Sequence, residues 1–349
     1  MPSKKPRRPR PSTILDVAKR AGVSPMTASR VINRHPRVGA DLRERVLEAA
    51  KALDYRPNLA GRSLRNAGVS RIGVLYSNPS AAYLNQLMIG MLEEASHAGA
   101  QIMLETCAGM RSQRLAMKRL LDAGVDGVIL PPPLCDSPST VAELQAAGVP
   151  IVAIASAAPL EHVHSVRIDD YQAARTMARY LLGLGHRRIG FIEGDPDHTP
   201  AVLRAQAFFD SMREAGIEVP DELVAHGLFT YRSGLEAARQ LLALDPRPSA
   251  IFASNDDMAA AVIAVAHGMG LRIPEDLSVT GFDDTPVATT IWPALTTIHQ
   301  PVTAMGRQTI RMMVEEIRLR RNGEHRGAQH KLMKYKLVKR ESASEPPAG

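Results

Sequence analysis

The chain has 349 residues, 45% of them hydrophobic and 23% charged, a formal net charge of +7 and two cysteines. That length calls for two or three domains; no apolar run reaches a membrane span of roughly 18 residues, and the basic, proline-rich start, Met1 to Pro11, leads into no secretory apolar core. Cys107 and Cys135 lack C-x-x-C spacing, which argues against a disulfide framework or zinc site and for a reducing, cytoplasmic and nucleoid-associated setting.

Charge is unevenly placed. Residues 1–70 carry 16 Lys and Arg against 5 Asp and Glu, and the remainder carries 27 against 31. A small basic head on a slightly acidic body is the footprint of a nucleic-acid binder with a separate second function. Residues 1–11 read as a disordered basic arm and residues 12–57 as three short helices. Ser12 or Thr13 caps the first, whose apolar positions are Ile14, Leu15, Val17, Ala18 and Ala21, and Gly22 ends it. Ser24 caps the second, with Pro25 at its first turn. The third covers about Ala40 to Leu53, with Leu42, Val46, Leu47, Ala50 and Leu53 facing inward. Helix, short turn with glycine, then a polar-faced helix is a helix-turn-helix. The second helix presents Pro25, Met26, Thr27, Ser29 and Arg30 near its start, where such a helix reaches base edges in the major groove. Met26 either contacts thymine methyls or packs in the head's own core.

Residues 58–70 read as a linker. From Arg71 strands and helices alternate: strands at Ile72–Tyr76, Ile102–Leu104, Val125–Leu130 and Ile151–Ile154, helices at Leu84–Ala98 and Arg114–Leu121. The rhythm restarts after Val166–Asp170, with a helix at Tyr171–Leu184 and strands at Ile189–Ile192, Ala250–Phe252 and Leu277–Phe282. The fold class is therefore an all-α helix-turn-helix head plus an α/β body of two doubly wound, parallel-sheet lobes over 71–340, followed by a disordered tail, 341–349. Ligands of such sheets sit at the carboxyl ends of the strands.

Ile14-Leu15-Asp16-Val17-Ala18, Ala21-Gly22-Val23-Ser24, Thr27 to Asn33, Tyr55-Arg56-Pro57-Asn58-Leu59-Ala60, Gly185-His186-Arg187-Arg188-Ile189, Ser254 to Ala259, Gly281-Phe282-Asp283-Asp284 and Pro293 to Pro301 together resemble the lactose/galactose repressor (LacI/GalR) family over about residues 13–340. The resemblance implies a body similar to periplasmic sugar-binding proteins. Its first lobe takes 71–168 plus residues 299–329, and its second takes 169–297 plus a final strand, Lys331 to Val338. It implies DNA contacts from Thr13, Ser24, Pro25, Met26, Thr27, Ser29, Arg30, Asn33, Arg37, Tyr55 and Asn58. A hinge helix over 59–66 is implied to form only on cognate DNA, with Leu64 wedged into the minor groove. Implied effector contacts are Tyr76, Ser80, Ala81, Tyr83, Arg204, Asn255, Asp283 and Gln300. A guanidinium fork at Arg204 suits paired sugar hydroxyls or a carboxylate, Asp283 accepts hydroxyls, and Tyr83 stacks on a sugar face. Asn255 equally caps a helix. Ala155 departs from the pattern, standing where the lactose repressor has an effector-binding aspartate.

No phosphate-binding loop, nucleophile elbow or zinc-protease pair is present. His162 and His164 read as a solvated loop pair rather than a metal site, and Asp256-Asp257 and Asp283-Asp284 as binding or capping residues. The sequence thus predicts a cofactor-free, non-enzymatic repressor of carbohydrate-utilisation genes. Its partners are a pseudo-palindromic operator, a small sugar or related metabolite bound between the lobes, and a second copy of itself. A sugar-binding protein without DNA function, or a regulator answering to a non-sugar metabolite, are the alternatives. Gly61 stands in the hinge where the family more often has alanine, and glycine costs a helix about 1 kcal/mol relative to alanine. Gly61→Ala should therefore tighten operator binding about fivefold in a gel-shift titration; unchanged or weaker affinity would refute the hinge assignment.

Overall fold

Three short helices make the N-terminal unit: α1 (Ile14–Ala21), α2 (Pro25–Ile32) and α3 (Ala40–Ala52). The structure is a computed structural model that describes residues 13–32, 39–53, 69–77, 80–107 and 109–347, the side chains of Ser29, Ala40 and Met110 excepted. The basic arm, the candidates Asn33, Arg37, Tyr55, Asn58 and Leu64, and Gly61 with the proposed hinge helix lie outside the described residues.

Local chemistry sets the helix ends. Thr13 forms a capping box with Asp16 at the start of α1, and Gly22 ends it at φ 64°, a left-handed conformation that suits glycine. The Ser24 hydroxyl accepts from the Thr27 backbone N–H at 3.1 Å. The core consists of small side chains, Val17, Ala18, Ala21, Ala28, Val31, Val46, Ala49 and Ala50. Leu15, Leu42 and Leu47, expected inside, are exposed. Leu15 and Leu47 follow half-buried Ile14 and buried Val46 by one residue, a rotation of about 100° that carries them off the inner stripe. Leu42 lies in the first turn of α3. Arg45 donates across the bundle to the Ala21 carbonyl at 2.7 Å, closing the α1 terminus against α3.

The second unit, residues 68–349, is the α/β body. Its first half runs β1 (Arg71–Tyr76), α4 (Ala81–Ala98), β2 (Gln101–Thr106), α5 (Gly109–Ala123), β3 (Gly127–Leu130), α6 (Pro138–Ala146), β4 (Ile151–Ile154) and β5 (His164–Arg167). Its second half runs α7 (Asp170–Gly183), β6 (Ile189–Glu193), α8 (Thr199–Glu214), β7 (Val224–His226), α9 (Tyr231–Leu242), β8 (Ala250–Ala253), α10 (Asp256–Gly268), β9 (Ser278–Thr280), α11 (Val287–Thr290) and β10 (Thr297–His299). The chain then crosses back through α12 (Val302–Arg321), β11 (His330–Leu332) and β12 (Lys336–Val338). One sheet has the order β11-β5-β4-β3-β1-β2 and a second β7-β6-β8-β9, with β10 and β12 paired separately. Within the two larger sheets every pairing is parallel. Strands β1, β3, β4, β6 and β8 are buried almost throughout, as sheets covered on both faces require. Four of the six phenylalanines form one cluster: Phe191 stacks on Phe208 at 4.6 Å and meets Phe252 edge-on at 5.4 Å, with Phe209 at the rim.

Three expectations change. The final strand over Lys331–Val338 is two strands: β11 extends the first sheet beside β5, and only β12 pairs with β10. The tail beyond residue 340 is ordered through Ser344. Strand β9 pairs with β8 on one side, and on the other, beside a bridge from Thr280 to Thr296, the tail meets it, with Val279 N–H donating to the Ser342 carbonyl at 2.7 Å and the Ser342 hydroxyl donating to the Val279 carbonyl at 2.6 Å. His186, buried in the second half, also bonds the Ser344 carbonyl at 2.9 Å. His164 is no loop residue: it begins β5, is buried, accepts from the Gln329 backbone N–H at 3.0 Å and lies 3.3 Å from Glu316, while His162 stays exposed. Both cysteines are buried and free.

Helices α4 and α12 cross at two glycines. A Cβ on Gly90 would lie 1.9 Å from the Thr303 carbonyl oxygen, and one on Gly306 2.5 Å from the Leu87 carbonyl oxygen. Backbone cannot yield locally, so the helices must separate. Gly90→Ala should cost at least about 2 kcal/mol and lower the melting temperature by several degrees. Gly183→Ala, where a Cβ meets nothing within 4 Å, should not lower it. Equal calorimetric midpoints for Gly90→Ala and wild type would show that the crossing has slack.

Candidate functional site

Two places carry the candidate residues. In the head, Ala28 and Val31 turn one face of α2 inward, and the opposite face presents Pro25, Met26 and Arg30 to solvent. Met26 is 65% exposed, so it does not pack in the head's core. An apolar side chain held in water at a helix start is available for the apolar surface of a groove. Ser24 and Thr27 are tied to each other, their hydroxyls 2.9 Å apart, which fixes both at the same helix start. Thr13 is the cap of α1 and holds Asp16.

In the body, a cleft with about 410 Å³ of free space, counted to its open mouth, is lined by Ser80, Tyr83, Arg204, Asn255, Asp283 and Gln300 among the expected residues. Tyr76 and Ala81 are not on its wall. Tyr76 instead donates from its hydroxyl to the Ser80 carbonyl at 3.1 Å, and Ala81 faces solvent. Pro132, His198, Pro200 and Phe229, absent from the sequence reading, complete the wall with Ala155. One rule unites them. Ser80 follows β1, Pro132 follows β3, Ala155 follows β4, His198 follows β6, Phe229 follows β7, Asn255 follows β8, Asp283 follows β9 and Gln300 follows β10. These are the carboxyl ends of the strands, where helix starts and free backbone groups converge.

Arg204, on α8, is 5% exposed and heavily engaged. Its Nε donates to Asp170 at 2.9 Å, its Nη2 lies 2.8 Å from the same carboxylate oxygen, and its Nη1 donates to the Ser254 carbonyl at 2.7 Å. The guanidinium carbon lies 3.6 Å from the centre of the Phe282 ring. Asp283 is 3.9 Å away, beyond a direct hydrogen bond. Burial pushes the Asp283 carboxyl up to about 7 despite Arg204 and a 2.6 Å hydrogen bond from Gln300 Nε2. Burial likewise raises Asp170, with Arg204 opposing.

The loop that carries Asp283 is built to hold it. Asp283 sits at φ 115°, rare for a side-chain-bearing residue. Its N–H donates to the Ile298 carbonyl at 2.8 Å, and its carbonyl accepts from Gln300 N–H. The buried Asp256 carboxylate accepts from Thr285 N–H at 2.7 Å and from the Thr297 hydroxyl at 2.6 Å, bolting the loop to β10. A Cβ on Gly281 would lie 2.4 Å from Asp256 Oδ1, so only glycine fits. Asp256 is thus a structural bolt within the Asp256-Asp257 pair. Asn255 caps α10, accepting from Met258 N–H at 3.0 Å while its Nδ2 donates to the Phe229 carbonyl at 3.0 Å; it caps the helix and also lines the cleft. Among the described residues no cluster of three or more His, Cys, Asp or Glu could hold a metal, and no helix is long and apolar enough to cross a membrane.

Residues 13–58 match the family described as bacterial regulatory proteins, lacI family, and residues 178–343 match the periplasmic binding protein-like domain. Catabolite control protein A of Priestia megaterium is 33% identical over 305 residues, 87% of this chain and 92% of that protein. The HTH-type transcriptional regulator DegA of Bacillus subtilis (strain 168) is 33% identical over 336 residues, 95% of this chain and 98% of DegA. Among solved structures, a transcriptional regulator CelR–cellobiose complex superposes with a TM-score of 0.72 at 33% identity, covering 95% of this chain and 99% of that one. The lac repressor dimer bound to operator and the anti-inducer ONPF superposes with a TM-score of 0.70 at 27% identity, covering 96% and 100%. With a helix-turn-helix head of this family, relatives aligned along nearly its whole length and an effector-type cleft in its body, the chain belongs to the lacI family of bacterial regulatory proteins and is a DNA-binding transcription regulator, not an enzyme.

Proposed function

We propose that this regulator is a repressor of carbohydrate-utilisation genes, binding a two-fold operator as a homodimer under the control of an uncharged sugar held in the body cleft. The observation that carries the sugar reading is the state of Arg204. Its Nε–Nη2 edge, the edge that would clamp a carboxylate or phosphate, is already closed by Asp170. An anionic ligand would meet Asp283 with no cation among the described residues of the wall other than the engaged Arg204 to pair it, and burying an unpaired charge is costly. Hydroxyls fit this wall better, because each both donates and accepts. The relative CelR was solved with cellobiose, a neutral sugar. The homodimer reading is supported by the lac repressor, solved as a dimer bound to operator.

Two experiments test this reading. In gel shifts on promoter fragments, binding should be sequence-specific and should weaken steeply with salt. Met26→Ala should cost about 1–3 kcal/mol on the cognate fragment and leave non-specific binding unchanged. Binding that is neither sequence-specific nor salt-sensitive would sink the operator reading.

In thermal-shift assays, one or more of glucose, galactose, ribose, maltose and cellobiose should raise the melting temperature, whereas glucose 6-phosphate and gluconate should not. Arg204→Met should lower the sugar-free midpoint, since opening a buried pair costs about 3–5 kcal/mol, and should abolish the sugar response. A larger stabilisation by the phosphorylated sugar than by any neutral one would overturn the reading.

A further inference from the structure

His198 lies between β6 and α8 on the cleft wall, 3% exposed, and neither ring nitrogen has a hydrogen-bond partner among the described residues. The nearest carboxylate, Asp195, is 3.6 Å from Nδ1, outside hydrogen-bond range. Buried polar groups are otherwise paired, and an imidazole with two open positions is an exception that calls for a cause. Two more open groups line the same cleft: the Tyr83 hydroxyl, 6% exposed, and Gln300 Oε1, 2% exposed. Each is a side chain from a different strand end. Tyr83 belongs to α4 after β1, His198 follows β6, and Gln300 follows β10.

The surroundings fix the imidazole. Phe229 meets it edge-on, ring centres 5.5 Å apart. Phe229 itself is held at φ 57° over Gly194, where a Cβ would lie 2.1 Å from the ring. Backbone strain and an obligatory glycine are therefore invested in the residue that sets the orientation of His198. Burial holds the imidazole below its usual range, so it is neutral, with one N–H donor and one bare acceptor nitrogen.

We infer that His198 is an effector-contacting residue, and that its two nitrogens, with the Tyr83 hydroxyl and Gln300 Oε1, read hydroxyls of an uncharged, ring-shaped ligand. This rests on the sugar reading of the cleft. A neutral imidazole matches a hydroxyl or an adjacent pair of them, donating to one oxygen and accepting from the other. Tyr83 donates, Gln300 Oε1 accepts, and none of the three offers positive charge. The specificity follows from the polar groups left open when a ligand lacks the matching hydroxyl, which is a stronger filter than an apolar wall of the same shape.

The test uses the full-length protein and isothermal titration with whichever of glucose, galactose, ribose, maltose or cellobiose binds it most tightly. His198→Phe keeps the aromatic packing and removes both hydrogen-bonding positions; it should weaken binding about tenfold or more. His198→Gln keeps a donor and an acceptor and should stay within about threefold of wild type. Monodeoxy derivatives of the same sugar supply the coupling: one of them should lose affinity for wild type but bind wild type and His198→Phe almost equally. Wild-type affinity in His198→Phe, equal losses in Phe and Gln variants, or full loss for every deoxy sugar in both proteins would each overturn the assignment while leaving the sugar reading in place. If none of the five sugars binds wild type, the sugar reading falls and takes this inference with it.

Discussion

A single buried guanidinium organises the effector half of this molecule. Arg204 binds Asp170 at the start of α7, the Ser254 carbonyl at the end of β8 and the face of Phe282 just past β9. One side chain thereby ties together a helix start and two strand ends that are far apart in sequence. Taking a guanidinium and a carboxylate out of water is expensive, and their attraction repays it only when the geometry is good and the remaining donors are met. Here the donors meet a carboxylate, a carbonyl and a ring face, which is why the arrangement is tolerable in a core that also contains Asp256 and Asp283. The same engagement limits chemistry. A guanidinium pinned in this way shapes the cleft and lends it a local field, but it is a poor clamp for an incoming anion.

The rest of the cleft follows from sheet topology. In parallel sheets every strand ends on the same side, and each crossover must begin there, so loops and helix starts gather at one edge. The chain uses that edge repeatedly and places different chemistry at each exit: hydroxyls after β1, a proline after β3, an imidazole after β6, an aromatic ring after β7 and a carboxylate after β9. Unusual backbone is concentrated there too. Ala155, Phe229, Asp283 and Asp284 all have positive φ. Such residues persist only when neighbours over-determine them, and Asp256 with Thr285 and Thr297, or Gly194 beneath Phe229, are the neighbours that do so.

Much of this was legible in sequence because it depends on periodicity and on caps. Gly22, Ser24 and Pro25 announce the helix-turn-helix, and the strand–helix alternation announces the sheets. Asp283, Gln300 and Arg204 were found through resemblance to a family rather than through any local rule. His198 was not found, since a lone histidine between a strand and a helix carries no periodic signal; what distinguishes it is the absence of a partner, a property of three-dimensional packing. Asn255 shows the converse. Its spacing suits a cap and a ligand contact alike, and only the three-dimensional structure shows the cap, through the hydrogen bonds to Met258 and Phe229, on a residue that also lines the cleft. The tail was misread because its polarity resembles solvated chain. Ser342 and Ser344 are polar for another reason, namely that they complete the open edge of β9 and meet buried His186. The head's leucines were over-assigned to the core because a short helix of about two to four turns offers more apolar residues than one stripe can bury.

Control by a ligand requires that it bind one arrangement of the body better than another. The cleft supplies a physical basis for that difference. Its walls come from both larger sheets, and groups from the two sides already touch across it. The Thr199 hydroxyl donates to Asp136, Gln86 Nε2 donates to the Asp284 carbonyl at 3.5 Å, and Ser80 hydrogen-bonds Asp257. Those contacts are few and polar, each worth about 1 kcal/mol net, so they do not by themselves fix how far the two sides approach. A ligand that hydrogen-bonds Tyr83 on one side and the groups around Arg204 on the other adds several bonds that exist only when the sides are close. Shifting an even mixture to about ten to one needs only about 1.4 kcal/mol of such differential binding, which one well-placed hydrogen bond approaches and two exceed. The strength of the regulatory effect is therefore set by how many open polar groups the ligand bridges across the cleft, and not by how tightly it fits either wall alone.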